Sequence, residues 1–325
     1  MNRWNVYLGY HIFIVIEMVE GLPERGKIWY NGRFLDWKDA KVHVLAHGLH
    51  YGTGVFEGIR CYATDKGSFI FRLDDHIARL YRSAELYKMT IPYTKEELKN
   101  AIKDTIRINE LDACYIRPIA FYGFHHLGVN PEGCPVDCAI AVWRWGTYLG
   151  EEALEKGIRC TFSSWRRIDP NTLPVTAKAT GHYLNSLLAV LDAKERGFDE
   201  AIMLDNHGYV AEGPGENIFG VKDGLIYTPA IESSILPGIT RASVIELARD
   251  MGYEVLEKRV KKEELLNADE AFFTGTAAEV SAIREIEGVK IGEGKRGKIT
   301  EEIQRKFFDV VNAREERYMS WLEPV

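Results

Sequence analysis

Strand-like and helix-like segments are interspersed along this 325-residue chain, without the regular alternation that a βαβ fold requires. The clearest strand pair surrounds Asn31-Gly32, the strongest short-range signal for a hairpin, with strands predicted at residues 27–30 and 33–36. A second pair is predicted at residues 60–64 and 68–72. This mixture predicts an α+β fold. The length allows two domains at roughly 100–200 residues each.

Helices are predicted where apolar residues recur three and four positions apart. Leu73, Ile77 and Leu80 begin one such pattern, and the capping box Thr94-Lys-Glu-Glu97 opens a second helix. Three more helices are predicted at residues 181–196, at 237–251 and from residue 300 onward. Apolar or alternating runs predict the remaining strands, at residues 114–122, 136–145, 200–204, 209–212, 216–221, 225–228 and 270–274.

The predicted domain organisation has four parts. Residues 1–26 form an N-terminal extension, 27–144 a small α+β domain, 145–156 a linker rich in glycine and aromatic residues, and 157–325 a larger domain. The apolar run at residues 12–19 is too short to span a bilayer and has no clear cleavage site for a signal peptide. We expect this segment to lie outside the fold, with Met18 as an alternative start.

Composition excludes several classes of protein. The chain is 46% hydrophobic and 27% charged, which is typical of a globular protein rather than a disordered one. Its formal net charge of −7 disfavours nucleic acid and anionic membranes as partners. Five cysteines are an odd number at low density, so we expect reduced thiols in a cytoplasmic protein. The pair His125-His126 has no third ligand at a useful spacing, so we expect no metal site.

A glycine pattern near the C-terminus imitates a nucleotide site. Residues 292–297 read GEGKRG and match GxGxxG. A dinucleotide site needs this pattern inside a βαβ unit with an acidic residue further on. Only one predicted helix follows, so we interpret the segment as a polar loop.

Three other motifs carry residue types suited to cofactor chemistry. Lys178 stands among small residues, which allow a planar ligand to approach, and a desolvated lysine can act as a Schiff-base nucleophile. Glu212 begins the run EGPGEN, where a carboxylate at a strand end can keep a pyridine ring protonated. Taken alone, each motif is more typical of a solvated surface lysine or of a glycine-rich turn with solvated carboxylates.

The third motif is Leu236-Pro-Gly-Ile-Thr-Arg241, at the predicted start of a helix. Free N–H groups at a helix N-terminus, together with a threonine hydroxyl, form a phosphate site. Gly275-Thr-Ala277 follows an apolar strand and offers a second cluster of this kind. An arginine would complete such a site because its fork matches phosphate geometry.

These motifs, in this order, resemble pyridoxal-phosphate enzymes of the branched-chain aminotransferase family. The resemblance extends from about Lys27 to the C-terminus, and its sharpest part is the run YGTGVFEGIR at residues 51–60. It implies a fold type IV aminotransferase with a small N-terminal α+β domain and a larger C-terminal α/β-barrel-like domain. The cofactor, pyridoxal 5'-phosphate, is then expected between the two domains.

The resemblance also implies roles around the cofactor. Lys178 is the catalytic residue, which holds the cofactor as a Schiff base and moves the proton between the substrate Cα and the cofactor. Glu212 pairs with the pyridine nitrogen, and Tyr183 hydrogen-bonds the phenolic oxygen. The phosphate-binding residues are Arg79, Ile239, Thr240 and Thr276.

On the substrate side, the resemblance implies that Tyr115 holds the α-carboxylate together with the backbone amides of Thr276 and Ala277. Arg117 then binds the γ-carboxylate of glutamate, and Arg60 is a further substrate-binding residue. Leu127 and Val129 match a loop that closes the pocket from another subunit, so a homodimer or a higher assembly of dimers is implied. The apolar walls are assigned to Tyr51, Phe56, Trp145, Tyr148 and Tyr183. The chain departs from the usual family residues at His125, His126, Thr180 and His182.

The predicted reaction is transamination of L-leucine, L-isoleucine or L-valine with 2-oxoglutarate. The nearest alternative enzyme is a D-amino-acid or (R)-amine transaminase on the same scaffold, against which Arg60 and Arg117 argue. A second alternative is a vitamin-binding or regulatory module that keeps the fold without catalysis. The simplest alternative is an α+β protein in which the motifs are structural.

Overall fold

The computed structural model describes residues 26–146 and 156–325. These residues form two β-sheets with helices packed against them, so the predicted α+β fold is confirmed. Residues 1–25 and 147–155, which include most of the predicted extension and linker, lie outside the described residues. The predicted domain boundaries therefore stay a prediction.

The first sheet has eight strands, all paired antiparallel. Its strands are β1 (Lys27–Tyr30), β2 (Arg33–Asp36), β3 (Gly54–Phe56), β4 (Ile59–Thr64), β5 (Gly67–Phe71), β6 (Cys114–Tyr122), β7 (Val136–Trp143) and, from the end of the chain, β17 (Leu322–Pro324). The spatial order is β17-β5-β4-β6-β7-β1-β2, with β3 beside β6. The last strand of the chain thus belongs to the first sheet.

Local sequence explains the β1–β2 hairpin of this sheet and the start of one of its helices. The turn between β1 and β2 places Asn31 at φ 47° and Gly32 at φ 84°, the two positive values that a tight hairpin turn needs. The accompanying helices are α1 (His47–Tyr51), α2 (Leu73–Leu86) and α3 (Lys95–Ile108). The predicted capping box is present at the start of α3. The buried faces of α2 and α3 pack on the sheet in one hydrophobic core.

The second sheet has nine strands and mixes parallel with antiparallel pairs. Its strands are β8 (Ile158–Phe162), β9 (Glu200–Leu204), β10 (Val210–Glu212), β11 (Asn217–Lys222), β12 (Leu225–Pro229), β13 (Val255–Lys258), β14 (Glu270–Gly275), β15 (Glu279–Ile286) and β16 (Val289–Lys290). The order is β10-β9-β8-β15-β14-β11-β12-β13, with β16 beside β15. The remaining helices are α4 (Tyr183–Glu195), α5 (Ile239–Asp250), α6 (Lys262–Leu266) and α7 (Lys298–Val311).

Most predicted elements are confirmed within one or two residues. The GxGxxG segment at residues 292–297 forms turns between β16 and α7, as expected for a loop. The five cysteines carry free thiols. In the two described ranges, no helix is both long enough and apolar enough to cross a membrane.

Candidate active site

A cavity is lined by residues of α2, of the ends of β10 and β14, and of the start of α5. The fold brings together here all of the residues that the resemblance assigns to the cofactor: Arg79, Lys178, Tyr183, Glu212, Ile239, Thr240 and Thr276. They come from segments far apart in sequence, so only the tertiary structure assembles them.

Lys178 is held in place by the first half of the chain. Its N–H donates to Ser83 Oγ at 3.0 Å, and its carbonyl accepts from the N–H of Phe56 at 3.0 Å. The Nζ of Lys178 donates to the hydroxyl of Tyr183 at 2.7 Å. The amine therefore has a fixed backbone and one polar partner in the cavity.

Arg79 is held by a buried carboxylate. Its Nε and one terminal nitrogen donate to the two oxygens of Glu57 at 2.6 and 2.9 Å, and its other terminal nitrogen donates to the carbonyl of Pro237 at 3.0 Å. His76 Nδ1 lies 2.7 Å from the same carboxylate. Burial alone would raise the pKa of Glu57, but Arg79 and then His76 lower it below its ordinary value. This bidentate pair fixes the direction of the guanidinium.

The first turn of α5 presents unpaired N–H groups to the cavity. Gly238 occupies the N-cap position and no side chain caps this turn, so its first N–H groups lack partners within the helix. A Cβ at Gly238 would lie 1.9 Å from Asn217 Oδ1, so only glycine fits there. Such a helix start attracts anions.

Two threonines complete this end of the cavity. Thr274 Oγ1 is buried and has no hydrogen-bond partner among the described residues, and Thr276 follows it in the turn after β14. The donors available are thus a guanidinium, N–H groups at a helix start and hydroxyls. This set fits the phosphate of a cofactor, and the orphaned hydroxyl of Thr274 marks a contact for a ligand to satisfy.

Glu212 lines the same cavity as a buried carboxyl group surrounded by donors. It accepts hydrogen bonds from Arg167 Nε at 2.6 Å, from Asn217 Nδ2 at 3.0 Å and from the N–H of Leu236 at 3.1 Å. Burial raises the pKa of Glu212, and Arg167 is the strongest influence in the opposite direction. The carboxylate is well placed to accept a hydrogen bond from a protonated ring nitrogen.

An aromatic cluster lies next to Lys178, beside the cavity. The guanidinium of Arg117 lies 4.9 Å from the ring centre of Phe56 and 5.3 Å from that of Tyr115. Trp145 packs on Tyr115 at 5.1 Å, and Phe56 packs on Tyr183 at 4.8 Å. Phe56 therefore connects the cluster to Lys178, whose Nζ lies 5.0 Å from the centre of the Phe56 ring. Five of the predicted substrate-side residues share this region: Phe56, Tyr115, Arg117, Trp145 and Tyr183.

Arg60 joins the first sheet to the turn that carries Thr276 and Ala277. Its terminal nitrogen lies 3.4 Å from Glu279, which closes this turn, and the hydroxyl of Tyr62 donates to the same carboxylate at 2.9 Å. Arg60 is also the direct cross-strand partner of the predicted carboxylate-binding tyrosine on β6. This contact keeps the two parts of the predicted carboxylate site in register.

Other predicted wall residues do not line this cavity within one chain. The side chain of Tyr51 is 42% exposed, and Leu127 and Val129, on the connection between β6 and β7, are 51% and 80% exposed. Tyr148 lies outside the described residues. This part of the predicted pocket is therefore not formed by the described residues alone.

The departures from the usual family residues have local explanations. Thr180 Oγ1 donates to the carbonyl of Gly52 at 2.8 Å, and His182 Nε2 lies 2.6 Å from the hydroxyl of Tyr87. Burial lowers the pKa of His182 to about 4, so the ring is neutral at physiological pH. His125 and His126 are exposed in their loop. Within residues 26–146 and 156–325, no group of three metal-ligating side chains is present.

Several residues of the site were not predicted from the sequence, among them Glu57, Asn217 and Arg167. Glu57 and Asn217 lie inside motifs that were singled out, directly after Phe56 and at the end of EGPGEN, so their position offered a signal. Arg167 stands in the stretch SSWRRID and has no local pattern that distinguishes it from Arg166. Only the fold shows that Arg167 meets a carboxylate 45 residues away.

The geometry agrees with comparisons against known proteins. The family model described as "Amino-transferase class IV" matches residues 54–286, which include all of the cavity residues above. The chain belongs to the class IV aminotransferases. It is therefore an enzyme of the transaminase type, as predicted, and the alternative of a non-catalytic module is not supported.

Particular members of this family are closely similar. A branched-chain-amino-acid aminotransferase of Pseudomonas aeruginosa is 50% identical over 91% of this chain and 96% of its own length. The crystal structure of the Escherichia coli branched-chain amino acid aminotransferase matches with a TM-score of 0.91 and 48% identity, over 92% of this chain and 99% of that one. The branched-chain enzyme of Thermobaculum terrenum, solved in its PLP form, matches with a TM-score of 0.87 and 36% identity over 92% and 98%. These matches confirm the predicted family and its fold type.

Proposed function

We propose that this class IV aminotransferase uses pyridoxal 5'-phosphate to transfer the amino group of L-leucine, L-isoleucine or L-valine to 2-oxoglutarate. The single observation that carries the proposal is an arginine inside an apolar pocket. Arg117 lies among Phe56, Tyr115 and Trp143, and its Nε is buried without a partner in the described residues. Aromatic walls suit a branched side chain, and the unpaired donor suits the second carboxylate of glutamate.

The cofactor assignment is supported by the match between the donor set and the groups of pyridoxal phosphate. Arg79, the start of α5 and the threonine hydroxyls suit the phosphate, and Glu212 suits the ring nitrogen. The relative crystallised in its PLP form has the same fold. When bound, the cofactor supplies an electron sink that stabilises the negative charge left when a proton leaves the amino acid Cα.

Lys178 carries the proton-transfer step in this proposal. The Nζ accepts the proton from the substrate Cα as a general base and, as a general acid, would deliver it to the carbon of the bound cofactor that takes up the amino group. The hydroxyl of Tyr183, 2.7 Å away, orients the amine and stabilises it as it gains the proton. The backbone bonds to Ser83 and Phe56 keep the amine in place through both half-reactions. Transfer then follows a ping-pong sequence, with amino donor and keto acceptor using one site in turn.

Tyr115, with the N–H groups of Thr276 and Ala277, is proposed to hold the α-carboxylate. The Arg60–Glu279 contact supports the assignment because it fixes this turn against the strand that carries Tyr115. Orientation of the substrate in this way fixes which face of Cα meets Lys178, and so sets the preference for L-amino acids. No observation on the described residues favours the D-amino-acid or (R)-amine alternative.

We further propose a homodimer in the cytoplasm. Tyr51, Leu127 and Val129 are exposed apolar residues that are not among those lining the cavity of Lys178, as expected if they complete the pocket of a second copy. Exposed leucines along one face of α4, at 184, 187 and 191, add to the apolar surface. The free thiols of Cys61 and Cys114, which are cross-strand neighbours, suit a reducing compartment.

The decisive experiment is an absorbance spectrum of the protein saturated with pyridoxal phosphate, before and after addition of L-leucine. We expect the band of the lysine-bound cofactor to give way to that of pyridoxamine phosphate, with return of the first band on addition of 2-oxoglutarate. D-leucine serves as the matched control and should leave the band unchanged. A response to D-leucine alone would overturn the proposed substrate class, and the absence of a lysine-bound band would overturn the cofactor assignment.

A further inference from the structure

Three buried carboxyl groups lie close together beside the cavity. Glu212 and Glu216 line it, and Glu200 on β9 lies near enough to Glu216 to affect its ionisation. All three side chains are buried. Burial in a medium of low polarity favours the neutral acid, so three neighbouring carboxyl groups cannot all be ionised without compensation. Which of the three carries the negative charge must therefore depend on the hydrogen-bond and ion-pair partners of each carboxyl group.

The pKa of Glu216 shows the effect of burial on a carboxyl group that has no cation in contact among the described residues. The only described donor to its carboxyl group is the N–H of Gly215, at 3.0 Å from Oε2. Burial, with Glu200 nearby, raises the pKa of Glu216 to about 8. The pKa of Glu200 is also raised by burial. Burial thus favours the protonated form of Glu216 near neutral pH and shifts the pKa of Glu200 in the same direction.

Glu212 differs in the number and kind of its partners. Three N–H groups, from Arg167, Asn217 and Leu236, donate to its two oxygens. A protonated carboxyl would need an acceptor for its own O–H, and the described residues show none bonded to Glu212. The hydrogen-bond pattern is thus that of the ionised form.

Arg167 is the charged member of this set, and its position is fixed. It forms a buried ion pair with Glu212 at 2.6 Å, and a terminal nitrogen donates to Asn185 Oδ1 at 3.3 Å. Its backbone N–H donates to the carbonyl of Leu204 at 2.8 Å. Besides Arg167, the charged or titratable groups that act on Glu212 are Lys178 across the cavity and Glu216. Of these, Arg167 alone is hydrogen-bonded to the carboxylate.

We propose that Arg167 is a positioning residue that keeps Glu212 ionised and thereby keeps the proton on the ring nitrogen of the bound cofactor. The inference rests on the proposed function, because it assumes that pyridoxal phosphate occupies the cavity with its ring nitrogen at Glu212. The proton shared by the ring nitrogen and the carboxylate of Glu212 can reside on either group. A guanidinium in contact with the carboxylate favours negative charge there, so the proton stays on the nitrogen and the ring keeps its strength as an electron sink.

The experiment uses the holoenzyme reconstituted with pyridoxal phosphate that carries ¹⁵N in the ring. The ring ¹⁵N resonance is compared with that of free cofactor at low and at high pH, which gives the positions of the protonated and unprotonated forms. We expect the protonated position in the wild type and the unprotonated position in Arg167→Met. Arg167→Lys should restore part of the protonated signal. The rate of the leucine half-reaction should fall about tenfold for each pKa unit lost by the ring nitrogen, with little change in the KM for leucine.

Two controls separate this role from a structural one. Glu212→Gln removes the carboxylate itself and should give the same unprotonated signal as Arg167→Met. Lys103→Met breaks the ion pair of Lys103 with Glu323 at 2.5 Å, and neither residue lines the cavity. It should lower thermal stability without moving the ring resonance. If Arg167→Met does not fold, Arg167→Gln keeps a donor without the charge and should still shift the signal toward the unprotonated form.

The outcomes are distinguishable. A ring nitrogen that stays protonated in a folded Arg167→Met or Arg167→Gln holoenzyme overturns the inference and leaves the proposed function intact. A wild-type protein that shows neither a bound ring resonance nor a lysine-bound cofactor band overturns the proposed function itself.

Discussion

The cofactor part and the substrate part of the proposed site differ in how fully their polar groups are paired within one chain. At the end proposed for the cofactor, Arg79 and Glu212 are each engaged in buried ion pairs, with Glu57 and Arg167 respectively. At the end proposed for the substrate, the buried Nε of Arg117 lacks a partner among the described residues. A cofactor that stays bound favours a preorganised site. A site that admits leucine and glutamate in turn must keep some hydrogen-bond donors free for the second carboxylate of glutamate. The difference predicts that variants of the two ends fail in different ways.

Lys178→Ala should have the largest effect, because Lys178 acts at the junction of both ends. We expect turnover of leucine with 2-oxoglutarate to fall on the order of 10⁴-fold or more, since no other amine lines the cavity in the described residues. The assay is formation of glutamate, with Lys178→Arg as a control that keeps the charge. Wild-type activity in Lys178→Ala would refute the assignment.

Glu57→Ala tests the preorganised end. Removal of Glu57 leaves the buried charge of Arg79 without its partner, which destabilises a protein by about 3–5 kcal/mol. Urea unfolding of the holoenzyme measures the loss. Asp36→Ala is the matched control, because it breaks the exposed pair of Asp36 with Lys27 and should leave stability nearly unchanged. Equal losses in the two variants would contradict the proposed contrast.

Arg117→Gln tests the open end. Loss of a hydrogen bond to a charged group costs about 1.5–3 kcal/mol, so kcat/KM for 2-oxoglutarate should fall about 10- to 150-fold. The leucine half-reaction should change much less, since leucine has no second carboxylate. Single-turnover rates with each substrate measure the two effects separately. Parallel losses for both substrates would show that Arg117 is structural.

Leu127→Ala should have the smallest effect and tests whether a second copy closes the pocket. Partial loss of an apolar contact with leucine should raise the KM by about tenfold or less, with cofactor affinity unchanged. Val289→Ala, at another exposed apolar residue, is the control and should have no effect. If sedimentation shows a monomer with full activity, Leu127 has no role in a pocket shared between subunits.

Local elements were predictable because their causes are local. The hairpin at Asn31-Gly32 depends on the backbone preferences of two residues, and the capping box at Thr94 depends on a contact three residues along the chain. The short β3 and α1 were not predicted. β3 pairs with β6, more than sixty residues further along the chain, and no periodicity appears in three residues. The position of β17 in the first sheet likewise depends on a contact between segments far apart in sequence, because β17 pairs with β5.

By itself, the sequence determined the set of chemical groups: a lysine among small residues, a carboxylate before a glycine-rich turn, and a helix start suited to phosphate. These follow from residue type and spacing, which the chain specifies directly. Only the tertiary structure decided that Arg167 pairs with Glu212 and Glu57 with Arg79, and that Leu127 and Val129 are exposed and do not line the cavity. Charge pairing and burial depend on distances between segments that are remote in sequence, and these distances exist only once both sheets have packed.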